Sequence, residues 1–528
     1  MVVTQGTAPS SLAPLRHSPF RELFAAQLLS NVGTWMQTVA AQWLMITLEH
    51  SALMVALVQT AISLPVVLLA LPAGALGDIV DRRRLLIASQ VLAVAAAGLL
   101  TALTLADKIG AWSLLALTLA VGIGDALRRP AWQALQPQLV PRDQVPQAAA
   151  LNSANMNVGR AIGPALGGLL VATAGAGWAF GVNAVSYLAV LAVLFAWRNE
   201  QERSSLGPER IGAAVRAGAR YARSSPRLRA VLVRTALFLT FASALWALLP
   251  VAANRQLDLG SGGYGLLLGA VGIGAVLGAA ALPRLRAGRS LDRVITLATC
   301  AFAAACVGLA TFNVVAPVLV LLVLAGVGWV TILGVLMGSA QTILPSWVGA
   351  RGMALFLIVF HGAQAGGAVL WGAVADGTGT DVAFLIVAGG LALGLVAVPR
   401  YRVRSGEDLD LSPSRHWAEP QLALDRDPGA APVLVTVDYR VPPENHSSFS
   451  EAMQAVGRVR RRSGATRWSL FQDAADPDHF VETFTVPSWE EHLRQHERVT
   501  VADRRFEDRA RALLEDGEAP RVTHLLQT

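Results

Sequence analysis

Long apolar runs separated by short polar turns fill the chain from about residue 22 to residue 400. A helix needs about 20 mostly apolar residues to cross a bilayer. Twelve runs meet that length: 22–48, 51–77, 85–106, 111–128, 148–174, 178–197, 229–253, 262–283, 291–312, 315–343, 349–375 and 381–399. Their connections alternate in charge. One set carries Arg82, Arg83 and Arg84, then Arg128, Arg129 and Arg142, then the segment from Arg198 to Arg229, then Arg284, Arg286 and Arg289, then Arg351, and last Arg400, Arg402 and Arg404. The other set carries only Lys108 and Arg255. Cytoplasmic loops hold the excess of basic residues, so the alternation predicts that both termini are cytoplasmic. The polar segment 198–228 divides the runs into six and six, as in folds built from two six-helix halves. The predicted organisation is a cytoplasmic tail 1–21, a first half 22–197, a central loop 198–228, a second half 229–400, a linker 401–432 and a soluble domain 433–528.

Past Arg404 the period changes. Residues 405–432 are rich in Asp, Pro, Ser and Arg and read as a linker. Residues 433–440 alternate like a strand, 444–462 have helical spacing, and 466–472 and 479–486 are strand-like. Residues 489–514 are helical with a break near Thr500, and 522–526 suit a final strand. The order βαββαβ is the ferredoxin-like arrangement. The fold class is therefore all-α membrane protein, twelve helices in two halves, plus an α+β domain. That domain resembles the small dimeric α+β barrels of the antibiotic-biosynthesis monooxygenase group. The resemblance concerns fold and implies possible self-association through this domain, without implying its chemistry.

Composition agrees with a polytopic membrane protein carrying a soluble appendage. The chain is 54% hydrophobic and 15% charged, against about 25% charged in soluble domains. Mean hydropathy is +0.49. The net charge of +7 is almost all arginine and follows topology, with no basic recognition helix for nucleic acid. Residues 1–19 are polar and contain proline, and the run that follows is long enough to stay in the bilayer, so no cleavable signal peptide is expected. Cys300 and Cys306 share one apolar run and suggest packing. No cofactor and no metal site is expected. His492 and His496 are four apart on one helical face, but a metal would need further ligands placed by the fold, and a solvated face is the plainer reading.

Two stretches carry a family signature. Gly74, Leu76, Asp78, Arg82 and Arg83 lie in a tight turn between the second and third runs. They resemble the Gly-x-Leu-Ala-Asp-x-x-Gly-Arg-Arg/Lys signature of the major facilitator superfamily, with Asp81 standing where the second glycine belongs. Asp78, at the edge of the apolar zone, is expected to have a cationic or helix-N-terminal partner. In the fifth run, Gly159, Gly163, Pro164, Gly167 and Gly168 resemble the fifth-helix signature of the superfamily's antiporters, which export their substrates. The glycines permit close helix packing and the proline removes one backbone bond. The segments Asn31–Gln37, Arg128–Ala134 and Leu71–Gly74 add a resemblance to the transmembrane secretion effector branch, which includes siderophore exporters, over about residues 16–400. Thr118 stands where the superfamily has a fourth-helix arginine, so no mechanism resting on that arginine carries over.

Ionisable and polar residues within the runs are the site candidates. Arg160 falls about 18 Å into the fifth helix at 1.5 Å per residue, and needs a carboxylate, a carbonyl cluster or an anionic substrate, or else serves as a structural tie. His361, with Gln364 one turn on, is a candidate proton carrier or a neutral imidazole bonded between helices. Asp125, with Arg82 or Arg83, suits a cytoplasmic latch in preference to a proton carrier, because the cytoplasmic interface is a cheaper depth for a charge. Asn31, Gln37, Gln59, Asn152, Asn155, Asn157 and Asn183 line a cavity or bond across helices. The combined reading is a multi-pass transporter of a bacterial plasma membrane, exporting a small molecule, siderophore-like or another secondary metabolite, by alternating access with the proton as coupling ion. A multidrug efflux pump of the same fold is the alternative, and an oxygenase or sensor acting through the C-terminal domain a remote one. The partners expected are the small-molecule substrate, the proton and the lipid bilayer, with no nucleic acid.

Overall fold

The computed structural model describes residues 12–79, 82–135, 139–196, 211–417, 431–515 and 520–527; side chains of residues 71–82, 130, 131, 133, 134, 142 and 211–217 lie outside the description. The helices before the sheet are α1 (Ser18–Leu48), α2 (Ala52–Ile79), α3 (Arg82–Leu105), α4 (Ala111–Leu135), α5 (Val145–Ala174), α6 (Ala176–Ala196), α7 (Ile211–Ser224), α8 (Pro226–Arg255), α9 (Ser261–Arg286), α10 (Leu291–Thr311), α11 (Val315–Ile343), α12 (Gly349–Thr378) and α13 (Thr380–Gly394). Among the described residues ten helices are long and apolar enough to cross a membrane: α2, α3, α4, α6 and α8 through α13. The expected spans 22–48 and 148–174 are helical but are not among the ten. Their polar content explains it. α1 carries Gln27, Asn31, Gln37 and Gln42, and α5 carries Asn152, Asn155, Asn157 and Arg160. The two helices pack on each other, where Asn31 donates to Asn155, while Gln37 and Gln42 of α1 turn to α6 and to α8 and α9.

The chain divides into two compact units. The first comprises Met1–Glu209, Val233–Leu336 and Leu357–Tyr401. Within it α1 packs on α5 and α6, α2 on α4, α3 on α4 and α6, α5 on α9, and α10 on α13.

The second unit comprises Arg210–Leu232, Met337–Phe356 and Arg402–Thr528. Its sheet has strands β1 (Val433–Arg440), β2 (Arg467–Gln472), β3 (His479–Val486) and β4 (Arg521–Leu526) in the order β2-β3-β1-β4, each neighbouring pair antiparallel. β1 alternates as its sequence does: Val433, Val435, Val437 and Tyr439 point into the core, where they meet Phe449 and Met453 of α14 (His446–Ser463). The last helical stretch is broken into α15 (Trp489–Arg498) and α16 (Val501–Arg511). Thr500 makes the break, because its hydroxyl caps the Asp503 amide while the Asp503 carboxylate accepts from the Thr500 amide.

Two expectations for this unit need correction. The central segment is not all loop, since α7 lies inside 198–228, and the buried Tyr221 donates to the Ile343 carbonyl at 3.3 Å. Part of the expected linker is fixed to the domain. Arg227 grips Asp408 in a two-bond fork at 2.9 and 3.1 Å. Pro413 pairs with Thr500 in a β-bridge, and the Val501 and Ala502 amides donate to the Ser412 and Asp410 carbonyls. Backbone hydrogen bonding, invisible in composition, holds this strap.

Candidate transport pathway

Gly159, Gly163 and Gly167 sit on α5 four apart, on the face toward α1. A Cβ at Gly159 would lie 2.9 Å from the Asn31 Cβ, one at Gly163 2.5 Å from the Trp35 Cβ, and one at Gly167 2.8 Å from the Met36 Cα. Gly168 faces the other half of the chain. A Cβ there would lie 2.7 Å from both the Gly265 Cα and the Ser261 carbonyl of α9. The α5–α9 seam runs on to Gly272, whose Cβ would meet the Ala161 Cα at 2.8 Å and the Arg160 carbonyl at 3.1 Å. Real Cβ atoms do not approach this closely, so only glycine allows the contact. Pro164 lies within α5, which continues through it as one helix.

A second pair, α2 and α12, joins the halves with side chains. Thr60 donates to the Ala365 carbonyl at 3.1 Å, and Ser63 to Gln364 Oε1 at 3.3 Å. Toward the Ser51 end, Gln42 of α1 donates to the Trp246 carbonyl of α8 at 2.9 Å and accepts from the Tyr264 hydroxyl of α9 at 2.5 Å. Arg255 donates to the His50 carbonyl. These contacts join the two halves at the end that carries Glu49 and Ser51.

Arg160 sits beside the α5–α9 seam, its carbonyl facing Gly272. Its guanidinium lies 5.8 Å from the Trp35 ring, and its Nε is buried with no hydrogen-bond partner. Trp35 reaches Trp246 of α8 with ring centroids 5.9 Å apart. The Nδ1 of His361 is also buried and unpartnered, and its ring lies edge-on to Phe360. Asp125 adds no uncompensated negative charge here. It pairs with Arg128 at 2.5 Å and Arg129 at 2.7 Å, both on its own helix. Arg128 also donates to Gln27.

The other candidates separate. Asn31 accepts from Gln27 and donates to Asn155 at 2.9 Å, and Gln37 accepts from Asn183 at 2.6 Å. These are ties among α1, α5 and α6, and Gln364 is bonded to Ser63. Asn157 bonds only within its own helix. Asn152 borders a small pocket that Phe20, Phe24, Gln27 and Trp132 also line. Arg83 does not reach for Asp125; it donates to the Leu194 and Phe195 carbonyls at the end of α6, where such carbonyls lack helical partners. The side chains of Gly74, Leu76, Asp78 and Arg82 lie outside the described residues. Residues that reading the sequence does not single out are Gln42, Tyr264 and Asp376. Polar groups inside or at the end of apolar runs were the available signal, but their partners are over 200 residues away.

The C-terminal α+β domain holds a buried charge network. Arg460 bonds Glu482 at 3.0 and 3.2 Å and Glu507 at 2.7 Å. Tyr439 and Trp468 donate to Glu482, and Trp417 donates to Glu507. Burial alone would raise the Glu507 carboxyl and lower the Arg460 guanidinium. Their mutual attraction, with the bonds to His416 and Trp417, instead holds Glu507 at about 2, and the two carboxylates push Arg460 upward. The solvated face expected for His492 and His496 is corrected, because His492 is only 2% exposed. His524 of β4 packs beside it, with ring centroids 4.8 Å apart. Burial and the neighbouring imidazoles press His492 down to about 3 and His496 to about 4. Among the described residues no group of three or more His, Cys, Asp or Glu is arranged to hold a metal ion.

Ten apolar helices and two halves meeting along α5–α9 and α2–α12 define a multi-span helical membrane transporter. The fold agrees with solved transporters. The nucleoside transporter NupG superposes with a TM-score of 0.55 over 72% of this chain and 98% of that one, at 13% identity. An auto-inhibited POT family peptide transporter gives 0.60 over 73% and 97%, at 15% identity. The family model described as transmembrane secretion effector matches residues 9–528, so the chain belongs to that branch of the major facilitator superfamily and is a transporter, not an enzyme. Among relatives, the multidrug efflux pump Tap of Mycolicibacterium fortuitum is 27% identical over 417 residues, covering 75% of this chain and 98% of the pump. The staphyloferrin A transporter of Staphylococcus aureus is 33% identical over 175 residues, 32% of this chain and 44% of that protein. The enterobactin exporter EntS of Shigella boydii is 29% identical over 259 residues, 47% of this chain and 59% of the exporter.

Proposed function

We propose that the protein exports a small anionic molecule, siderophore-like or another secondary metabolite, from a bacterial cell by alternating access. The reading has twelve spans in the plasma membrane and both termini in the cytoplasm. The observation that carries the cargo's charge is Arg160. A half-buried arginine whose Nε is buried and unpartnered, against an aromatic face, has a deficit of acceptors. A carboxylate or catecholate-like oxygen supplies them, and the planar fork suits such groups. Burying an arginine unpaired at mid-membrane costs about 2.5 kcal/mol or more, so an anion that visits the site offsets a standing cost. His361, on the α12 face next to the polar Ser63–Gln364 rung, is the candidate for the coupling proton. The glycine series in α5 supports antiport through its resemblance to exporters. The soluble domain reads as ferredoxin-like, supported by its antiparallel order β2-β3-β1-β4, and is a candidate for self-association.

A multidrug pump is the second reading. It is favoured by the similarity to Tap, which spans nearly all of that pump. A screen in a strain stripped of its own efflux systems separates the two. Lowered accumulation of carboxylate or catecholate compounds, reversed in Arg160→Ala, supports the anion exporter. Resistance confined to cationic or neutral drugs, and indifferent to Arg160, supports the pump and removes the anion reading. For topology, reporter fusions at Glu49, Lys108 and Asp258 are expected to report the periplasm, and those at Arg84, Ser205 and Arg404 the cytoplasm. A periplasmic signal at Ser205 would overturn the six-plus-six division.

A further inference from the structure

We infer that Asp376 is the latch that holds the Ser51 end of the pathway shut, a gating role that rests on the alternating-access reading above. Near the end of α12, Asp376 caps the start of α2. Its carboxylate accepts from the Ser51 hydroxyl at 2.5 Å, the Ala52 amide at 2.5 Å and the Leu53 amide at 3.2 Å. The first amides of a helix lack partners within it, and a negative charge is favoured there. The preceding residue, Ser51, supplies the ordinary cap, its hydroxyl accepting from the Met54 amide at 3.3 Å. The Ala52 and Leu53 amides, and the Ser51 hydroxyl itself, are bonded from the other half of the chain, more than 320 residues away, so these bonds last only while α2 and α12 stay together.

The contacts below the cap form a ladder. A Cβ at Gly372 would lie 2.7 Å from the Ala56 Cβ and 2.9 Å from the Leu53 Cα, so the helices touch directly under it. The neutral rungs Thr60–Ala365 and Ser63–Gln364 follow, and Gly362 faces Val67 at the inner end. Asp376 is the charged member of this ladder and its outermost one. It is exposed, so on opening its oxygens and the three donors pass to water. That makes a latch strong enough to bias the closed state and weak enough to cycle.

The test uses the full chain with Cys300→Ser and Cys306→Ala, and Val67→Cys as reporter. A membrane-impermeant maleimide is applied to the Ser51 face and, in vesicles of opposite orientation, to the arginine-rich face. Asp376→Ala is expected to speed labelling from the Ser51 face about tenfold, a shift of about 1.4 kcal/mol, and to slow it from the other face. Asp376→Asn keeps one acceptor and should fall between, and it serves if Asp376→Ala inserts poorly. A parent reactive from the arginine-rich face, with both variants partitioning as it does, overturns the latch. A reporter inert from both faces in every variant overturns the alternating-access reading beneath it.

Discussion

Where α5 meets α9, main chain lies on main chain along a series of glycines; where α2 meets α12, one such contact at Gly372 is joined by side chains that reach across. Gly168, Gly265 and Gly272 bring the first pair within contact of each other's backbone. The second pair is held by Thr60, Ser63, Gln364 and Asp376 through hydrogen bonds that water can replace. Dispersion across a glycine seam changes little with a small rotation and vanishes on separation. A hydrogen-bonded ladder releases rung by rung. The first pair thus suits a pivot that stays closed through the cycle, the second a gate that opens. Charge placement follows the same division: Asp376 is exposed, whereas Glu507 in the C-terminal α+β domain is buried and paired with Arg460.

The contrast can be broken in order of expected effect. Glu507→Gln leaves Arg460 short of one charge partner in a dry site, and removal of one member of a buried pair costs about 3–5 kcal/mol. Amide protection in β1 and β3 of the full chain should collapse, and unchanged protection would show that the network is not what orders the domain. Gly168→Leu drives a side chain into the Gly265 backbone, where overpacking costs about 1–3 kcal/mol and has no flexible neighbour to absorb it. Thermal melting in detergent should fall clearly, and a parent-like melt would mean the seam is loose.

Acid should act on the C-terminal α+β domain through groups whose pKa is lower folded than unfolded. His492 and His496 stay neutral in the fold down to about 3 and about 4, while in the unfolded chain they take up protons below 6.5. Glu507 adds the same sign between 4.5 and about 2. The unfolded state therefore binds more protons, and stability is full above about pH 6.5 and falls progressively below it. Protection of β1 and β3, corrected for intrinsic exchange, should be lower at pH 5 than at pH 7.5, and less so in His492→Phe. The smallest effect belongs to the ladder: Thr60→Val with Ser63→Ala should cost about 0.6 kcal/mol per rung, which melting barely registers.

Helix positions were legible because bilayer thickness imposes one length on every span, and strand positions because β1 alternates strictly. The glycines of α5 announced close packing. Partners were not legible. Asp125 pairs with Arg128 and Arg129 on its own helix, a spacing visible in the sequence, yet Arg82 and Arg83 were equally basic and near the same membrane face. Asn31 and Gln37 look like cavity polar groups by type, and only the meeting of α1 with α5 and α6 reveals them as ties. His492 on a charged helix reads as solvated until β4 brings His524 against it. Pattern reports which face is polar; contact between distant segments decides what that polarity does.

The central claim is that Arg160 meets the cargo. Export per folded molecule, measured for Arg160→Lys and Arg160→Ala alongside thermal stability in detergent, tests it most directly. The account predicts that lysine keeps the charge and the melting temperature but loses most of the export, and that alanine loses all of it while remaining folded. Full export by a well-folded Arg160→Ala protein would contradict it.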